Sequence, residues 1–241
     1  MGTREKDKDV AIYPQGVDGY VLRVSEVLTD TANRRAQALA KRLRGAELEL
    51  VEVAPSLTSV YVRFDPQRID RASLVEDLRK IVSEPIDASE TARRLWTIPT
   101  CFEGAAAPQL AEAAGLAGLT EAEAVASICA AELRVLAIGF APGQPYIGLL
   151  PEVWDLPRQT ALTDEVPAGA LTVAVRQLVL FANRSATGWR QVGRTAFRCF
   201  DAGAEVPVAL RPGDGIRFTS VPWVEFEPLL SDPAGGARLE T

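Results

Sequence analysis

Histidine is absent from this chain of 241 residues. Without imidazole there is no Ser-His-Asp triad, no Cys-His dyad, no HExxH zinc site and no imidazole proton shuttle, so any catalysis must run on other groups. Cysteine is nearly as scarce. Cys101, Cys129 and Cys199 are far apart, odd in number and outside any CxxC pairing, which argues against a disulfide framework or a zinc site and for three small apolar core residues. The chain also lacks a GxxxxGK[ST] phosphate loop and a GxGxxG turn behind a strand. No apolar run reaches the roughly 18 to 20 residues of a membrane span, and the charged opening MGTREKDKDV has no hydrophobic signal region behind it. A long basic stripe is missing as well: net charge is −6, and Lys and Arg are scattered as local pairs such as Arg34-Arg35 and Arg93-Arg94. The expectation is a cytoplasmic protein with no membrane or nucleic-acid partner, no metal and no cofactor.

What is present suits a sizeable core, with 47% hydrophobic and 24% charged residues in one large or two small domains. After a disordered tail over 1–9, YVLRVS at 20–25 reads as a strand. Thr29 and Asp30 then cap a helix carrying Ala32, Ala36, Leu39, Ala40 and Leu43 inward and ending at Gly45. Alternation at Leu48, Leu50, Val51 and Val53, and again at Val60, Val62 and Phe64, predicts two strands joined by the turn at 55–58. A second helix is expected from Ser73 to Val82 with Leu74, Leu78 and Ile81 inward. Together these make a small α+β domain over 10–85, followed by a linker from Pro85 to Glu90.

A second domain is expected over 92–230. LWTIP at 95–99 is strand-like, and two short helices follow, Pro108 to Ala114 and Thr120 to Cys129, the latter opened by the capping box Thr120-x-x-Glu123. Beyond Glu132 the short apolar runs LRVLAIGF, ALTVAV, LVLFA, WRQVG and IRFTSV are punctuated by Pro and Gly, as in a β-barrel or sandwich. The tail over 231–241 is expected to fray. Within this domain GFAPGQPYIG at 139–148 stands out. Proline fixes φ and glycine permits positive φ, so the segment predicts a stiff, specially shaped loop and a candidate ligand wall.

That segment, PR at 157–158, VPAG at 166–169, GW at 188–189, GRT at 193–195 and RPGD at 211–214 occur in an order and spacing that resembles one family. The family is subunit 1 of allophanate hydrolase and its relatives, including the B-type subunit of bacterial 5-oxoprolinase and the sporulation kinase inhibitor. VEVAPSLTSVYVRFDP at 51–66 resembles the family's first domain, so the likeness covers about residues 10–224. It implies a ferredoxin-like N-terminal domain and a cyclophilin-like β-barrel C-terminal domain. It also implies pairing with a homologous second subunit; some such complexes open a cyclic amide in an ATP-dependent reaction, and others act by binding a kinase.

Several polar positions of the family's pattern are replaced here: Ile128 stands for His, Gln109 for Asp, Leu162-Thr163 for a second Pro-Arg, Ala170 for Ser, Thr187 for Gly in PGGW, and Gln144 for Phe. The backbone-shaping glycines and prolines remain. The expectation drawn from this pattern is a repurposed enzyme whose barrel pocket binds an apolar small molecule and promotes an intramolecular cyclisation or cycloaddition by pre-organisation. Gln144 and Tyr146 would donate to the substrate and Arg194 would pair with an acidic group, while Phe140, Pro142, Thr163, Trp189 and Ile128 would bind the apolar body. Plain roles stay open for each: a core aromatic for Tyr146 and Trp189, a loop pin for Arg194, a solvent-facing amide for Gln144. Asp214 in RPGD reads as a turn residue. The alternatives are a partner subunit of a cyclic-amide hydrolase, with a homologous second subunit or as a homo-oligomer, and a non-catalytic protein-binding regulator.

Overall fold

The computed structural model describes residues 10–89 and 94–240. The chain divides into two compact units, 1–91 and 92–241. The expected tail over 1–9, the linker's last residue Glu90, and Thr241 lie outside the described residues.

In the first unit, β2 (Gly19–Arg23) leads to α1 (Asp30–Gly45), whose first turn is closed by the Thr29 hydroxyl accepting from the Ala32 N–H. Two antiparallel strands, β3 (Leu50–Pro55) and β4 (Ser59–Phe64), then lead to α2 (Arg71–Ser83), capped by the Asp70 carboxylate accepting from the Ser73 N–H. Helical spacing puts Ala36, Leu39, Ala40 and Leu43 on one face of α1. Strand alternation puts Val60, Val62 and Phe64 on one face of β4, and the two faces meet with Leu74 and Leu78 in a single core. Ile81, expected inward, is only partly buried against it. The pattern did not reveal β1 (Ala11–Gln15), which pairs with β2 and makes the sheet order β1-β2-β4-β3. Its residues are half-buried or exposed and include Pro14, which is tolerated because the strand is an edge.

The second unit holds a mixed sheet of eight strands: β5 (Leu95–Thr100), β6 (Leu133–Ile138), β7 (Pro145–Gly148), β9 (Ala170–Ala174), β10 (Gln177–Leu180), β12 (Arg190–Arg194), β13 (Gly215–Ser220) and β14 (Arg238–Glu240). Their order is β12-β9-β10-β7-β6-β13-β5-β14, and a separate pair joins β8 (Thr163–Val166) to β11 (Ser185–Thr187). The expected barrel is not closed: β12 and β14 are edges. Near the open side, Cys101 and Arg194 form an isolated bridge through N–H···O bonds of 2.8 and 2.9 Å. Two short helices, α3 (Leu110–Leu116) and α4 (Glu121–Ala130), pack into the core, and α4 starts on the expected capping box. Among the described residues no single helix is long and apolar enough to cross a membrane.

The frayed tail is a second correction. Arg238, Leu239 and Glu240 pair with Thr97, Trp96 and Leu95, and the Asp232 carboxylate holds the preceding turn by accepting from Ala234 and Gly236 N–H groups at 3.0 and 2.7 Å. A further helix, α5 (Trp223–Leu229), also went unread; its inward anchor is Phe226.

Strands β9 and β10 are buried on both faces. Leu171, Val173, Leu178 and Leu180 join the main core with Ile147 and Trp154, whereas Ala170, Ala174, Val179 and Phe181 point the other way, toward Tyr146 and Trp189. Period-two alternation thus builds a second, smaller apolar surface on the back of the main core.

All three cysteines are free, with Cys101 and Cys199 buried. Burial pushes the Cys199 thiol up from 9.0 to about 12. A thiol kept protonated by the fold contributes stability that is full below the unfolded value and is lost as pH rises from 9.0 toward about 12. Cys199→Ala should therefore lose less stability than the parent between about pH 8 and about pH 10, as read by urea unfolding. Equal losses would place the alkaline sensitivity elsewhere.

Candidate functional site

On the smaller apolar surface the second unit opens a cleft of about 290 Å³. Tyr146 of β7, Val179 of β10 and Phe181 form its floor. Phe140 and Gln144 form one part of the wall, and Arg158, Gln159 and Leu162 together with the stretch 186–189 form a second. The Tyr146 and Trp189 rings meet edge to face at 6.1 Å, a favoured aromatic geometry.

The first wall depends on the backbone chemistry of the Gly-Pro segment. Phe140 at φ 72 and Gly143 at φ 69 turn the chain, and a Cβ on Gly143 would lie 2.7 Å from the Phe200 Cβ. The turn is closed by Gly139 N–H to Gln144 O at 3.0 Å and Gln144 N–H to Ala141 O at 3.1 Å. Only the first half of the expected loop is a loop, since Pro145–Gly148 is β7, paired with β6 and β10. Phe140 stands 80% exposed beside the opening.

The second wall is held by side-chain amides. The Gln109 Nε2 donates to the Gln159 Oε1 at 2.7 Å, and the Gln159 Nε2 donates to the Trp189 carbonyl at 3.2 Å. Gln109 also accepts from the Gln191 N–H at 2.9 Å. The Thr187 hydroxyl accepts from the Trp189 N–H at 3.0 Å. Trp189 is thereby fixed in place, and the Arg158 guanidinium lies over its ring at 5.3 Å.

Gln144 has the most telling environment. Its residue is 2% exposed, yet among the described residues its side-chain amide has no hydrogen-bond partner while facing the cleft. The Tyr146 hydroxyl likewise makes no hydrogen bond among the described residues. The Gln144 amide is not one of the sealed, unpartnered polar atoms, so it keeps contact with the cleft, and a ligand that covered it without pairing it would incur about 1–3 kcal/mol.

Of the residues singled out from sequence, Gln144, Tyr146, Phe140 and Trp189 come together here, and four others do not. Ile128 is fully buried in the main core, because α4 turns its apolar face inward. Arg194 ends β12 at the bridge to Cys101, with its Nε buried and unpartnered. Pro142 is exposed on the loop, and Thr163 stands behind the wall, accepting from the Gln159 Nε2 at 3.4 Å. Sequence reasoning did not assign Arg158, Gln159, Leu162 or Thr187 to the site. The PR and ATGW motifs marked two of these stretches, but the β8–β11 pairing that folds them over the sheet is not written in local periodicity. Among the described residues no group of three or more Cys, Asp or Glu is placed to hold a metal ion.

These features define a two-unit α+β protein with an open mixed sheet and a cleft in the second unit. The family described as "Carboxyltransferase domain, subdomain C and D" matches residues 10–210, and the chain belongs to that family. It is 32% identical over 206 residues to the B-type subunit of 5-oxoprolinase from Escherichia coli O157:H7, covering 86% of this chain and 94% of the relative. With the corresponding 5-oxoprolinase chain of Bacillus subtilis (strain 168) it shares 27% identity over 217 residues, covering 86% and 90%. The crystal structure of TTHA0988 matches with a TM-score of 0.72 and 32% identity over 84% of this chain, which spans 40% of that one. The resemblance read from the motifs is therefore correct at the level of family.

Proposed function

We propose that this chain is the B-type subunit of a two-chain cyclic-amide hydrolase of the 5-oxoprolinase kind, working with a homologous second subunit. The observation that carries this reading is the extent of the match: it spans 94% of the Escherichia coli relative, so the likeness is not confined to one shared domain. On this reading the cleft is this subunit's part of the substrate site, and the ATP-dependent chemistry that the resemblance implies needs groups from the second chain. The absence of histidine fits such a division. A cyclisation or cycloaddition, expected from the altered pocket residues, has no counterpart among these relatives, and they favour the subunit reading over it.

Two features support the finer fold assignment. In the first unit β2-α1-β3-β4-α2 has the strand arrangement of a ferredoxin-like βαββαβ motif, with β1 supplying the fourth, outer strand from the N-terminal side. In the second, the Cys101–Arg194 bridge brings an edge strand back toward β5, as a cyclophilin-like barrel would require.

Co-expression with a homologous second subunit from the same genome should give one co-eluting complex. Its ATP hydrolysis should be stimulated by 5-oxoproline or by larger substituted lactams, and only when both chains are present. A chain that elutes alone and adds nothing to the other subunit's activity would rule out the subunit role.

A further inference from the structure

We infer that the cleft selects an anion with a hydrogen-bonding lactam or amide and an apolar body larger than a single five-membered ring, and that Gln144 and Arg158 are the residues that read it. The inference rests on the cleft being the substrate site proposed above, and three features of the wall carry it.

The first is the Gln144 amide, 2% exposed and unpartnered, which can donate to a carbonyl or accept from an amide N–H with little rearrangement. A ligand without such a group would leave this amide unpaired in the bound state and incur its desolvation. The second is charge. No lining residue is acidic, and Arg158 is the lining cation; its guanidinium rests on the Trp189 ring and makes no ion pair among the described residues. With no hydrogen bond or ion pair of its own among the described residues, the guanidinium has N–H donors free for a carboxylate. The third is size and polarity. The floor and flanks offered by Val179, Phe181, Tyr146, Trp189 and Leu162 are apolar or aromatic, and about 290 Å³ lies at the small end of the drug-sized range. A lone lactam ring bearing a carboxylate would leave part of this apolar wall uncovered and wet. An aryl or alkyl substituent on the ring would fill it.

The test is calorimetric titration of the isolated full-length chain with N-benzyl-5-oxoproline, which carries all three features. Beside it are 5-oxoproline, which lacks the apolar body, the methyl ester of N-benzyl-5-oxoproline, which lacks the charge, and 4-phenylbutyrate, which lacks the amide. The benzyl compound should bind at least about tenfold more tightly than 5-oxoproline. Gln144→Met, close in volume, should weaken the benzyl compound about fivefold to tenfold and leave 4-phenylbutyrate unchanged. Arg158→Gln should weaken all three anions about fivefold and leave the ester unchanged. Tighter binding of 5-oxoproline, no binding of the benzyl compound, or equal losses for all ligands in both variants would overturn the inference. Because the titration needs no second chain, its outcome is separate from the co-elution that tests the subunit role: complex formation with a cleft indifferent to these ligands rejects only the specificity, and selective binding without a complex rejects only the subunit assignment.

Discussion

Gly169→Ala is expected to destabilise the second unit by about 3 kcal/mol or more and to lower its melting temperature by roughly 10 °C. Two effects add. Gly169 sits at φ +81, where a Cβ carries a steric penalty, and that Cβ would lie 2.1 Å from the Thr195 carbonyl oxygen, a backbone atom that cannot rotate away. The position is also doubly tied. Its N–H donates to the Phe181 carbonyl at 2.8 Å and its carbonyl accepts from the Thr195 N–H at 2.9 Å, so relief of the clash would pull apart the turn between β8 and β9 next to the cleft floor. Gly115→Ala is the internal control. In helix α3 nothing lies within 4 Å of the added methyl, so this variant should gain about 0.5–1 kcal/mol from helix propensity. Thermal unfolding of the two variants side by side decides the matter, and a Gly169→Ala melt within about 2 °C of the parent would show that the turn tolerates a Cβ.

Asp214→Ala should cost about 3–5 kcal/mol, the range for removing one partner of a buried ion pair. Read from sequence as a turn residue, Asp214 is 4% exposed and accepts from the Arg94 Nε at 2.9 Å, an Arg94 terminal nitrogen at 3.2 Å, the Trp96 Nε1 at 3.1 Å and the Arg211 N–H at 2.9 Å. Its backbone carbonyl also accepts from the Val135 N–H at 2.8 Å, so one residue ties the starts of β5 and β13 to β6. Removing the carboxylate strands the Arg94 charge and the Trp96 N–H in a partly buried setting. Asp214→Asn keeps acceptors for some of these donors and should lose less. Urea unfolding with an unchanged m-value is the measurement, and a loss under about 1 kcal/mol for Asp214→Ala would mean that water replaces the carboxylate.

Locally determined features were legible wherever a short stretch carried its own physics. Thr29 and Thr120 announce helix starts because a side-chain oxygen three residues upstream of an unsatisfied N–H closes the first turn, and both caps are formed. The alternation at Val60, Val62 and Phe64 exposed the buried face of β4 for the same reason of short range. β7 was lost because Pro145 and Gly148 look like punctuation; what makes Pro145–Gly148 a strand is having β6 on one side and β10 on the other. The tail was lost similarly, since Arg238–Glu240 has no apolar pattern and becomes a strand only against the open edge of β5.

The site divides along the same line. By itself the sequence determined the family, the absence of imidazole chemistry, the helix starts and the stiff turn that presents Phe140 and Gln144, because composition, capping and the φ preferences of Gly and Pro act over a few residues. Only the tertiary structure decided that Gln144, Trp189 and Arg158 line one cleft, that Ile128 belongs to the core, that Arg194 lies outside the lining and that Asp214 is a buried hub. Those facts depend on which face of each strand and helix is covered by elements far away in the chain, and burial of that kind is a property of the assembled layers.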